Sequence, residues 1–386
     1  MRTAAVAVIG GGVVGASVAY HLARNGMLDV LILDRAPGPG GGSTGKATGG
    51  FRAQFATPVN VRLSLLARES LLRFQDETGV DPGYLQAGYL WLASNDAQLL
   101  ALNDARRVQL AEGLHEASET NLSDIAAINP AASLDGIIGG AYCPTDGFIK
   151  PLEILKGYLA AGARLGVEIE CDTEILGVTR GHGGHVVSIL TSRGEIAVGH
   201  VVNAAGPWAA SAAWLAGVKL PVTPLRRQVA LTEPCDLLPV NMPMTIFLDD
   251  GFHLRVRDGR VLLAWPSPGV PEAPFDTTID DSWLDQVVWR VRGRIPSLRA
   301  VKIDRTECYA GLYEMSPDHH AILGAAEECR NFWLVNGSSG HGVMHAPALG
   351  QLLAELICER ETTIDVSALS PLRFADGNES VQSELL

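Results

Sequence analysis

Short apolar runs alternate with helical patterns along much of this chain. Residues 5–9 and 30–33 are uninterrupted apolar runs, mostly β-branched in the first, and this pattern predicts strands buried on both faces. Residues 13–25 between them are predicted to be helical, with Gly26 ending the helix. The strand–helix–strand order predicts an α/β fold from the start of the chain.

The later segments continue this alternation. Leucines at roughly helical spacing predict a helix over residues 58–78. Further helices are predicted over residues 96–112, 152–165, 282–294 and 346–359. Strands are predicted over residues 84–92, 167–170, 200–203, 227–231, 251–256, 260–264 and 331–335, with a strand, a turn and a strand over residues 173–191.

A glycine turn follows the first strand. Gly10, Gly12 and Gly15 have the spacing G-x-G-x-x-G, which permits a tight turn, close approach of phosphate oxygens and close packing of helix on strand. The N-terminus of the following helix would face the diphosphate. Asp34 ends the second strand, where a carboxylate can accept hydrogen bonds from ribose hydroxyls. In this setting the motif predicts an ADP-containing dinucleotide.

Similar turns from a strand into glycine occur at residues 10, 206 and 337, and long β-rich insertions separate them. A continuous nucleotide-binding domain does not have this order, and residues 375–386 are predicted to be a flexible tail. We therefore predict a Rossmann-like domain from residues 1–80, 150–215 and 320–374, and a second α+β domain with a mixed or antiparallel sheet from residues 81–149 and 216–319.

Composition excludes several classes of protein. The formal net charge of −13 argues against a nucleic-acid-binding surface, and the sequence offers no apolar run long enough to predict a membrane span. The six cysteines form no C-x-x-C pair, which indicates a reducing cytoplasm. His182 and His185 lie in a predicted hairpin turn, where a solvated loop explains them better than a metal site, and we predict no metal.

Several segments together give the chain a recognisable pattern. In their order they resemble the FAD-dependent superfamily of D-amino acid oxidase, glycine oxidase and sarcosine oxidase. The resemblance is strongest to the branch of sarcosine oxidase β-subunits and proline dehydrogenase β-subunits, and it covers nearly the whole chain. The segments are residues 8–15, 42–52, Asp146-Gly147 followed by Pro151, and residues 203–208, 311–318 and 340–347.

The resemblance implies which residues contact FAD. The loop around residues 43–50 would run beside the flavin and the pyrophosphate, and residues 204–208 would close the nucleotide side. The turn at residues 340–344 would open a helix whose amides face the flavin pyrimidine and stabilise its reduced form. The implied cofactor-binding residues are Gly10, Gly12, Val13, Val14, Gly15, Asp34, Arg35, Ser43, Thr44, Lys46, Ala47, Gly49, Gly50, Ala204, Ala205, Gly206, Trp208, Gly311, Gly340, His341, Gly342, Val343 and Met344.

Five residues are candidates for the substrate side. Arg52 follows the glycine loop, where its guanidinium can bind a carboxylate with two hydrogen bonds, and a surface ion pair is the alternative. Arg255 is a second candidate for this role, two residues from His253 and on the same face of a predicted strand. Tyr313 would cover the flavin, with a core tyrosine as the alternative. His253 and His345 are polar groups of the pocket or structural histidines.

The chain also departs from the family's pattern. Gly311 stands where the covalent flavoenzymes carry a cysteine, so non-covalent FAD is expected. Three polar residues of monomeric sarcosine oxidase are replaced in this chain. Met344 stands where that enzyme has a carboxylate-binding lysine, Pro266 where it has a substrate histidine, and Leu262 where it has an oxygen-activating lysine. These replacements weaken the expectation of sarcosine as the substrate and of oxygen as the natural oxidant.

The resemblance implies FAD-dependent oxidation of the C–N bond of a secondary or N-alkyl amino acid, proline-like or sarcosine-like. Hydride would pass to flavin N5 and give an imine. Two alternatives stay open: a primary D-amino acid or glycine oxidase, and a flavin-binding assembly factor or subunit without amine-oxidising activity. The electron acceptor would be oxygen, a dye, a quinone or a partner subunit. A homo-oligomer and the β-subunit of a hetero-oligomer are both compatible with the resemblance.

Overall fold

The computed structural model describes residues 2–266 and 273–374, and the predicted tail at residues 375–386 lies outside them. Its α-helices are α1 (Val13–Arg24), α2 (Ser43–Lys46), α3 (Pro58–Thr78), α4 (Asp96–Ala111), α5 (Leu122–Ile128), α6 (Pro151–Arg164), α7 (Ala209–Leu215), α8 (Asp281–Arg294) and α9 (Gly342–Ile357). Short 3-10 helices span Gly206–Trp208, Pro296–Leu298, Ser367–Leu369 and Pro371–Phe374.

The strands of the described residues form two large sheets and one short pair. They are β1 (Arg2–Ile9), β2 (Val30–Leu33), β3 (Gly50–Phe51), β4 (Tyr89–Ala93), β5 (Ser118–Thr120), β6 (Gly139–Cys143), β7 (Gly147–Phe148), β8 (Glu168–Glu170), β9 (Ile175–Arg180), β10 (Val186–Thr191), β11 (Gly194–Asn203), β12 (Thr223–Leu231), β13 (Met244–Phe247), β14 (His253–Arg257), β15 (Arg260–Ala264), β16 (Tyr309–Met315), β17 (Ile322–Ala326) and β18 (Cys329–Asn336).

The first sheet has the order β17-β18-β11-β1-β2-β8, with β10 paired to β11 and β9 paired to β10. β1 lies at its centre and runs parallel to both β11 and β2. Val6, Val8 and Ile32 are fully buried, as the apolar runs predict. One core cluster joins this sheet to α1, α3, α6 and α9. The predicted Rossmann-like α/β layer is confirmed.

Glycines permit two close approaches in this layer. A Cβ at Gly15 of α1 would collide with the carbonyl oxygen of Gly10, so only glycine lets α1 pack against the turn after β1. A Cβ at Gly350 of α9 would collide with Ser17 of α1. These contacts fix the position of the N-termini of both helices relative to the sheet.

The second sheet has the order β16-β12-β15-β14-β13-β4-β6-β5. Its pairs are antiparallel except β13 and β4, which run parallel, so the predicted mixed sheet is confirmed. Phe252, Leu254 and Leu263 on one face pack with Trp283 and Val287 of α8. Its strands come from residues 89–143, 223–264 and 309–315, whereas those of the first sheet come from residues 2–33, 168–203 and 322–336.

The boundaries of some elements differ from the prediction. The helix predicted over residues 58–78 is α3, and Gly79 follows it with a left-handed φ of 78°. α9 begins at Gly342 instead of residue 346, which places Pro347 inside the helix. Pro347 has no N–H to donate, so its place beyond the first turn removes one hydrogen bond from the helix. β4 begins at Tyr89 instead of residue 84, since Gly88 before it has a φ of 87°.

The loop between β18 and α9 packs on a buried carboxyl group, Glu314. The amide of Ser338 donates to Glu314 Oε1 at 3.3 Å, and the amide of Ser339 donates to the Glu314 carbonyl oxygen at 2.9 Å. Glu314 Oε2 is buried and has no hydrogen-bond partner among the described residues. Burial raises the pKa of Glu314 to about 7, and donors from Ser338 and Gly337 offset only part of this effect.

We expect Glu314 to make the unfolding free energy depend on pH. Its pKa is raised to about 7 in the folded protein from 4.5. Its contribution to stability is therefore fully present below pH 4.5 and is lost as the pH rises through 7. The variant Glu314→Gln cannot ionise and should lose less stability than the wild-type holoprotein between pH 5 and pH 8. Denaturant titrations should show that the difference in unfolding free energy between Glu314→Gln and the wild type grows by roughly 1–3 kcal/mol from pH 5 to pH 8.

The comparison between the two proteins isolates this residue, because every other titrating group is common to both. Asp146, for example, has a pKa raised to about 6 by burial, and it contributes equally to the two curves. A difference in unfolding free energy that stays constant from pH 5 to pH 8 would contradict the raised pKa of Glu314.

Candidate active site

A long cavity of about 1640 Å³ lies between the two sheets. Its lining residues from the first sheet come from the carboxyl ends of β1 and β2 and from the turn after β11. On the other side, β12, β13, β14 and β15 of the second sheet contribute lining residues. β4, β16, the segment of residues 40–60, the loop before α9 and the N-terminus of that helix also line the cavity.

One end of the cavity has the geometry that the glycine motif predicts. Asp34 Oδ2 accepts a hydrogen bond from the Gly11 amide at 2.6 Å, and Oδ1 accepts one from the Ala36 amide at 2.8 Å, which fixes the carboxylate at the wall. Gly10 has a φ of 112°, and a Cβ there would collide with the carbonyl oxygen of Ala204. An anchored carboxylate beside a turn without side chains fits the ADP part of FAD.

The loop of residues 42–50 connects the two sides of the cavity. Thr44 Oγ1 accepts a hydrogen bond from the amide of Val13 at 3.1 Å, at the N-terminus of α1. The hydroxyl of Ser43 donates to the carbonyl oxygen of Leu312 in β16 at 2.7 Å. Backbone and small side chains of this loop therefore line the cavity, as its glycines predict.

An aromatic stack lies at the nucleotide end. The Arg35 guanidinium lies 4.1 Å from the centre of the Trp208 ring. The ring of Phe275 stacks on the same tryptophan, with 5.7 Å between centroids and an interplanar angle of 6°. Because Phe275 follows β15 of the second sheet and Trp208 follows β11 of the first, this stack joins segments that belong to the two sheets.

Arg52 lies inside the cavity wall and is 8% exposed. Its guanidinium carbon lies 3.9 Å from the centre of the Phe55 ring and 5.1 Å from that of Trp91. Nη1 donates to the carbonyl oxygen of Gln54 at 2.5 Å, and Nη2 donates to Nε2 of His341 at 3.3 Å. Burial lowers the pKa of Arg52 to about 10, so the side chain remains charged at neutral pH.

The contact with Arg52 defines the state of His341. Arginine can only donate, so Nε2 of His341 accepts and the ring proton is on Nδ1. Burial, followed by the charge of Arg52, holds the pKa of His341 well below its ordinary value, and the ring is neutral. No side chain fits at the neighbouring Gly340, because the Tyr313 ring packs where its Cβ would lie. Residues 340–344 line the cavity, so the N-terminus of α9 lies at the cavity wall.

The second sheet contributes polar side chains to the opposite wall. The guanidinium carbon of Arg227 lies 5.7 Å from the centre of the Tyr313 ring. The Tyr89 hydroxyl lies where a side chain at Gly50 would be. His253 Nδ1 donates to the carbonyl oxygen of Gly251 at 2.9 Å. Burial raises the pKa of both tyrosines, so both hydroxyls are protonated near neutral pH.

Arg255 does not line the cavity, which corrects its prediction as a carboxylate ligand. Its Nη1 donates to the carbonyl oxygens of Thr48 and Gly49, each at 3.0 Å. The guanidinium carbon lies 3.6 Å from the centre of the Phe148 ring. Strand alternation placed its Cβ correctly, but the long side chain reaches the glycine loop, whose carbonyl groups accept its donors.

His345 is likewise a structural residue. It is 2% exposed and does not line the cavity. Its Nε2 is 2.9 Å from the hydroxyl oxygen of Ser64 in α3, and its ring packs against Phe55. The alternative that the sequence left open, a structural histidine, is therefore the one that the geometry supports.

The remaining predicted residues lie together. Gly15 does not line the cavity, because it packs α1 against the turn after β1. The predicted residues that line the cavity are Gly10, Gly12, Val13, Val14, Asp34, Arg35, Ser43, Thr44, Lys46, Ala47, Gly49, Gly50, Arg52, Ala204, Ala205, Gly206, Trp208, His253, Gly311, Tyr313, Gly340, His341, Gly342, Val343 and Met344.

Sequence reasoning missed several other residues of the wall. Tyr89 and Trp91 line it from β4, and their period-two spacing within a predicted strand was a usable signal. Arg227 lines it from β12, at the start of another predicted strand. His319 and His320 line it from the loop after β16, and no periodic pattern marks them.

The residues at which the chain departs from the family's pattern can be located relative to the cavity. Gly311 lines the cavity with the Lys46 side chain beside it, whereas Cys308 donates through Sγ to the carbonyl oxygen of Asp304 at 3.3 Å and does not line the cavity. Leu262 is fully buried in an apolar cluster with Val229, Leu231 and Ala264, and it too is absent from the wall.

Comparisons with known proteins agree with this geometry. The family model of the FAD dependent oxidoreductases called DAO matches residues 5–356. The chain is 28% identical over 389 residues to mitochondrial dimethylglycine dehydrogenase of Rattus norvegicus, which covers 95% of the chain and 44% of that protein. It is 29% identical over 394 residues to mitochondrial sarcosine dehydrogenase of Mus musculus, covering 96% of the chain and 41% of that protein. The chain thus spans less than half the length of these relatives.

A solved structure gives the same result for the fold. The L-proline dehydrogenase from P. horikoshii superposes with a TM-score of 0.90 at 28% identity, and the match covers 97% of this chain and 99% of that one. The predicted fold, the predicted family and the predicted cofactor are therefore confirmed. The chain belongs to the DAO family of FAD-dependent oxidoreductases.

Proposed function

We propose that this enzyme oxidises the C–N bond of a secondary or N-alkyl amino acid, proline-like or sarcosine-like, and releases an imine. The observation that supports this most is Arg52, a buried cation at the cavity wall that forms no ion pair with a carboxylate of the described residues. The relatives named above act, by their names, on dimethylglycine, sarcosine and L-proline, all of which combine a carboxylate with an N-alkylated amine.

Arg52 has hydrogen-bond donors left for a substrate. A guanidinium carries five N–H donors, and the contacts with Gln54 and His341 use one donor from each of its two terminal nitrogens. The rings of Phe55 and Trp91 restrict its plane. A substrate carboxylate can therefore bind with two hydrogen bonds in a fixed orientation, which also fixes the carbon next to it.

The rest of the wall meets the other needs of the reaction. FAD bound in the cavity would accept a hydride at N5. Met244 and Ile246 of β13 and the ring of Tyr313 line the cavity, so the amine binds among groups that hydrate it poorly and its neutral form is favoured. The protein's contribution is to bind, desolvate and orient the substrate, so its α-carbon hydrogen lies near the hydride acceptor.

We further propose that oxygen is a poor electron acceptor for this enzyme. A cation near the reduced flavin stabilises superoxide as it forms. The resemblance assigns the position of that cation to Leu262, which is apolar and lies outside the cavity wall. Lys46 does line the cavity, and its ammonium nitrogen lies 5.4 Å from the centre of the Tyr309 ring. A dye, a quinone or a partner subunit would then accept the electrons faster.

The cellular setting is also a proposal. All six cysteines lie within the described residues and none forms a disulfide, which supports a reducing cytoplasm. Within residues 2–266 and 273–374, no helix combines the length and apolarity that a membrane crossing needs.

We propose that the chain assembles either with itself or, as a β-subunit, with a second kind of chain.

We expect the FAD to be bound without a covalent bond, because Gly311 carries no thiol and Cys308 lies outside the cavity wall. Acid precipitation of the purified yellow protein should release essentially all of the flavin into the supernatant, where its absorbance measures the amount. Flavin colour that stays with the precipitated protein would show a covalent link.

We expect anaerobic mixing with proline, sarcosine or a related N-alkyl amino acid to bleach the flavin absorbance for at least one of them. In Arg52→Gln, substrate binding should weaken roughly 30-fold or more, since one partner of a buried charge pair is lost. The variant Arg107→Gln, which removes an exposed arginine, serves as the control. The FAD content should be unchanged in both variants. Bleaching by glycine or primary D-amino acids only would support the first alternative, and no bleaching at all would support the second.

We expect the substrate-reduced enzyme to be reoxidised slowly by air-saturated buffer and at least tenfold faster by an artificial dye. Stopped-flow recovery of the flavin absorbance measures both rates on the same preparation. Rapid recovery in air with stoichiometric hydrogen peroxide would identify an oxidase. The oxygen-activating cation would then be a residue other than the one at position 262, such as Lys46.

A further inference from the structure

His253 is held in one tautomer at the cavity wall. Its Nδ1 lies 2.9 Å from the carbonyl oxygen of Gly251, which can only accept, so the ring proton is on Nδ1. The other ring nitrogen, Nε2, makes no hydrogen bond with the described residues, and the His253 side chain is only partly buried. A neutral His253 therefore presents an unprotonated nitrogen to the cavity.

The charged groups that face His253 keep it neutral while the site is empty. Burial lowers its pKa most, and the cations Arg227 of β12 and Arg52 lower it further, while the contact with Gly251 acts in the opposite direction. Its register neighbours on the adjacent strands, Ile246 and Ala264, are apolar. His253, Tyr313 and the two arginines all line the cavity.

Substrate binding changes this balance. A carboxylate on Arg52 cancels one of the two positive charges that disfavour the imidazolium form of His253. The amino group that enters with this carboxylate is an ammonium in water and must lose a proton before its nitrogen can share an electron pair with carbon. Binding thus delivers a proton donor and strengthens the proton acceptor in one step.

We propose that His253 is the base that takes the ammonium proton of the bound amino acid, a role that rests on the proposed function. The N–H bond of the ammonium breaks, the proton bonds to Nε2, and the electron pair stays on the substrate nitrogen. That pair forms the C=N bond as the hydride leaves the carbon for FAD with two electrons. The imidazolium then returns its proton to water.

Other polar groups of the wall are less suited to this step. His341 Nε2 is engaged by Arg52, and Glu314 Oε2 is closed off from solvent. His320 Nε2 lies 3.1 Å from the hydroxyl oxygen of Thr57, and Asp318 lies beside its other nitrogen. His319 is the remaining histidine of the wall, and it serves as the rival in the test.

The variant His253→Asn can keep the hydrogen bond to Gly251 while it removes the basic ring nitrogen Nε2. The Asn amide can keep an N–H near the position of Nδ1, but it cannot take a proton. Anaerobic flavin reduction at saturating substrate should be about 100-fold slower at pH 7. The midpoint of the pH profile of this reduction rate should be at least one pH unit higher in His253→Asn than in the wild type. Near pH 10 the rate of the variant should approach that of the wild type. His253→Gln, which places an amide near Nε2, should behave in the same way, and both variants should retain FAD.

A carboxylate with a thioether sulfur in place of the amine nitrogen provides the binding control. It has no ammonium proton, so its dissociation constant, measured by perturbation of the flavin spectrum, should change less than twofold in His253→Asn. It should weaken strongly in Arg52→Gln.

The outcomes separate the two proposals. If the wild type is not bleached by any amine, the proposed function fails and the base role fails with it. If the wild type is bleached and both His253 variants keep its pH profile, only the base role is overturned. A loss that persists at pH 10, or a shift seen in His319→Gln but not in His253→Asn, also overturns it.

Discussion

Arg52 keeps its positive charge inside the protein, and that charge adds to the effect of burial on the protonation of the imidazoles around it. Burial lowers its pKa only to about 10, so the guanidinium is charged at neutral pH. Burial is the largest cause of the lowered pKa values of His341, His345 and His253, and the field of Arg52 lowers them further, so these imidazoles are neutral. Since these imidazoles are uncharged, the guanidinium is available to a carboxylate that enters from solution.

The fold supports this buried charge with hydrogen bonds from several elements. Behind Arg52, Asp146 accepts hydrogen bonds from the Ala53 amide at 2.7 Å and from Nε2 of Gln54 at 3.1 Å. Gln54 in turn provides the carbonyl oxygen that binds Arg52. The motif around Asp146 thus holds the backbone of residues 52–54, and with it Arg52, in place relative to the second sheet.

The parts of this fold that could be predicted depend on local patterns. The turn at Gly10, the strands around it and α3 follow from burial on both faces, from glycine's backbone freedom and from the residues that begin and end a helix. α9 was placed four residues too late, because Pro347 resembles a first-turn proline and only packing keeps it within the helix. The spacing of Arg255 and His253 predicted a shared face, but not which of them would reach the cavity.

By itself, the sequence determined the nucleotide-binding turn, the interruption of one sheet by the strands of another, and the types of residue available for the site. These follow from contacts within about 35 residues and from the order of the segments. Only the tertiary structure decided which side chains meet: Arg52 with His341, Arg255 with the carbonyl group of Gly49, and His345 with Ser64. Each of these pairs joins residues about 200 or more positions apart. A long side chain can satisfy its donors in several directions, so its partner depends on the packing of the whole chain.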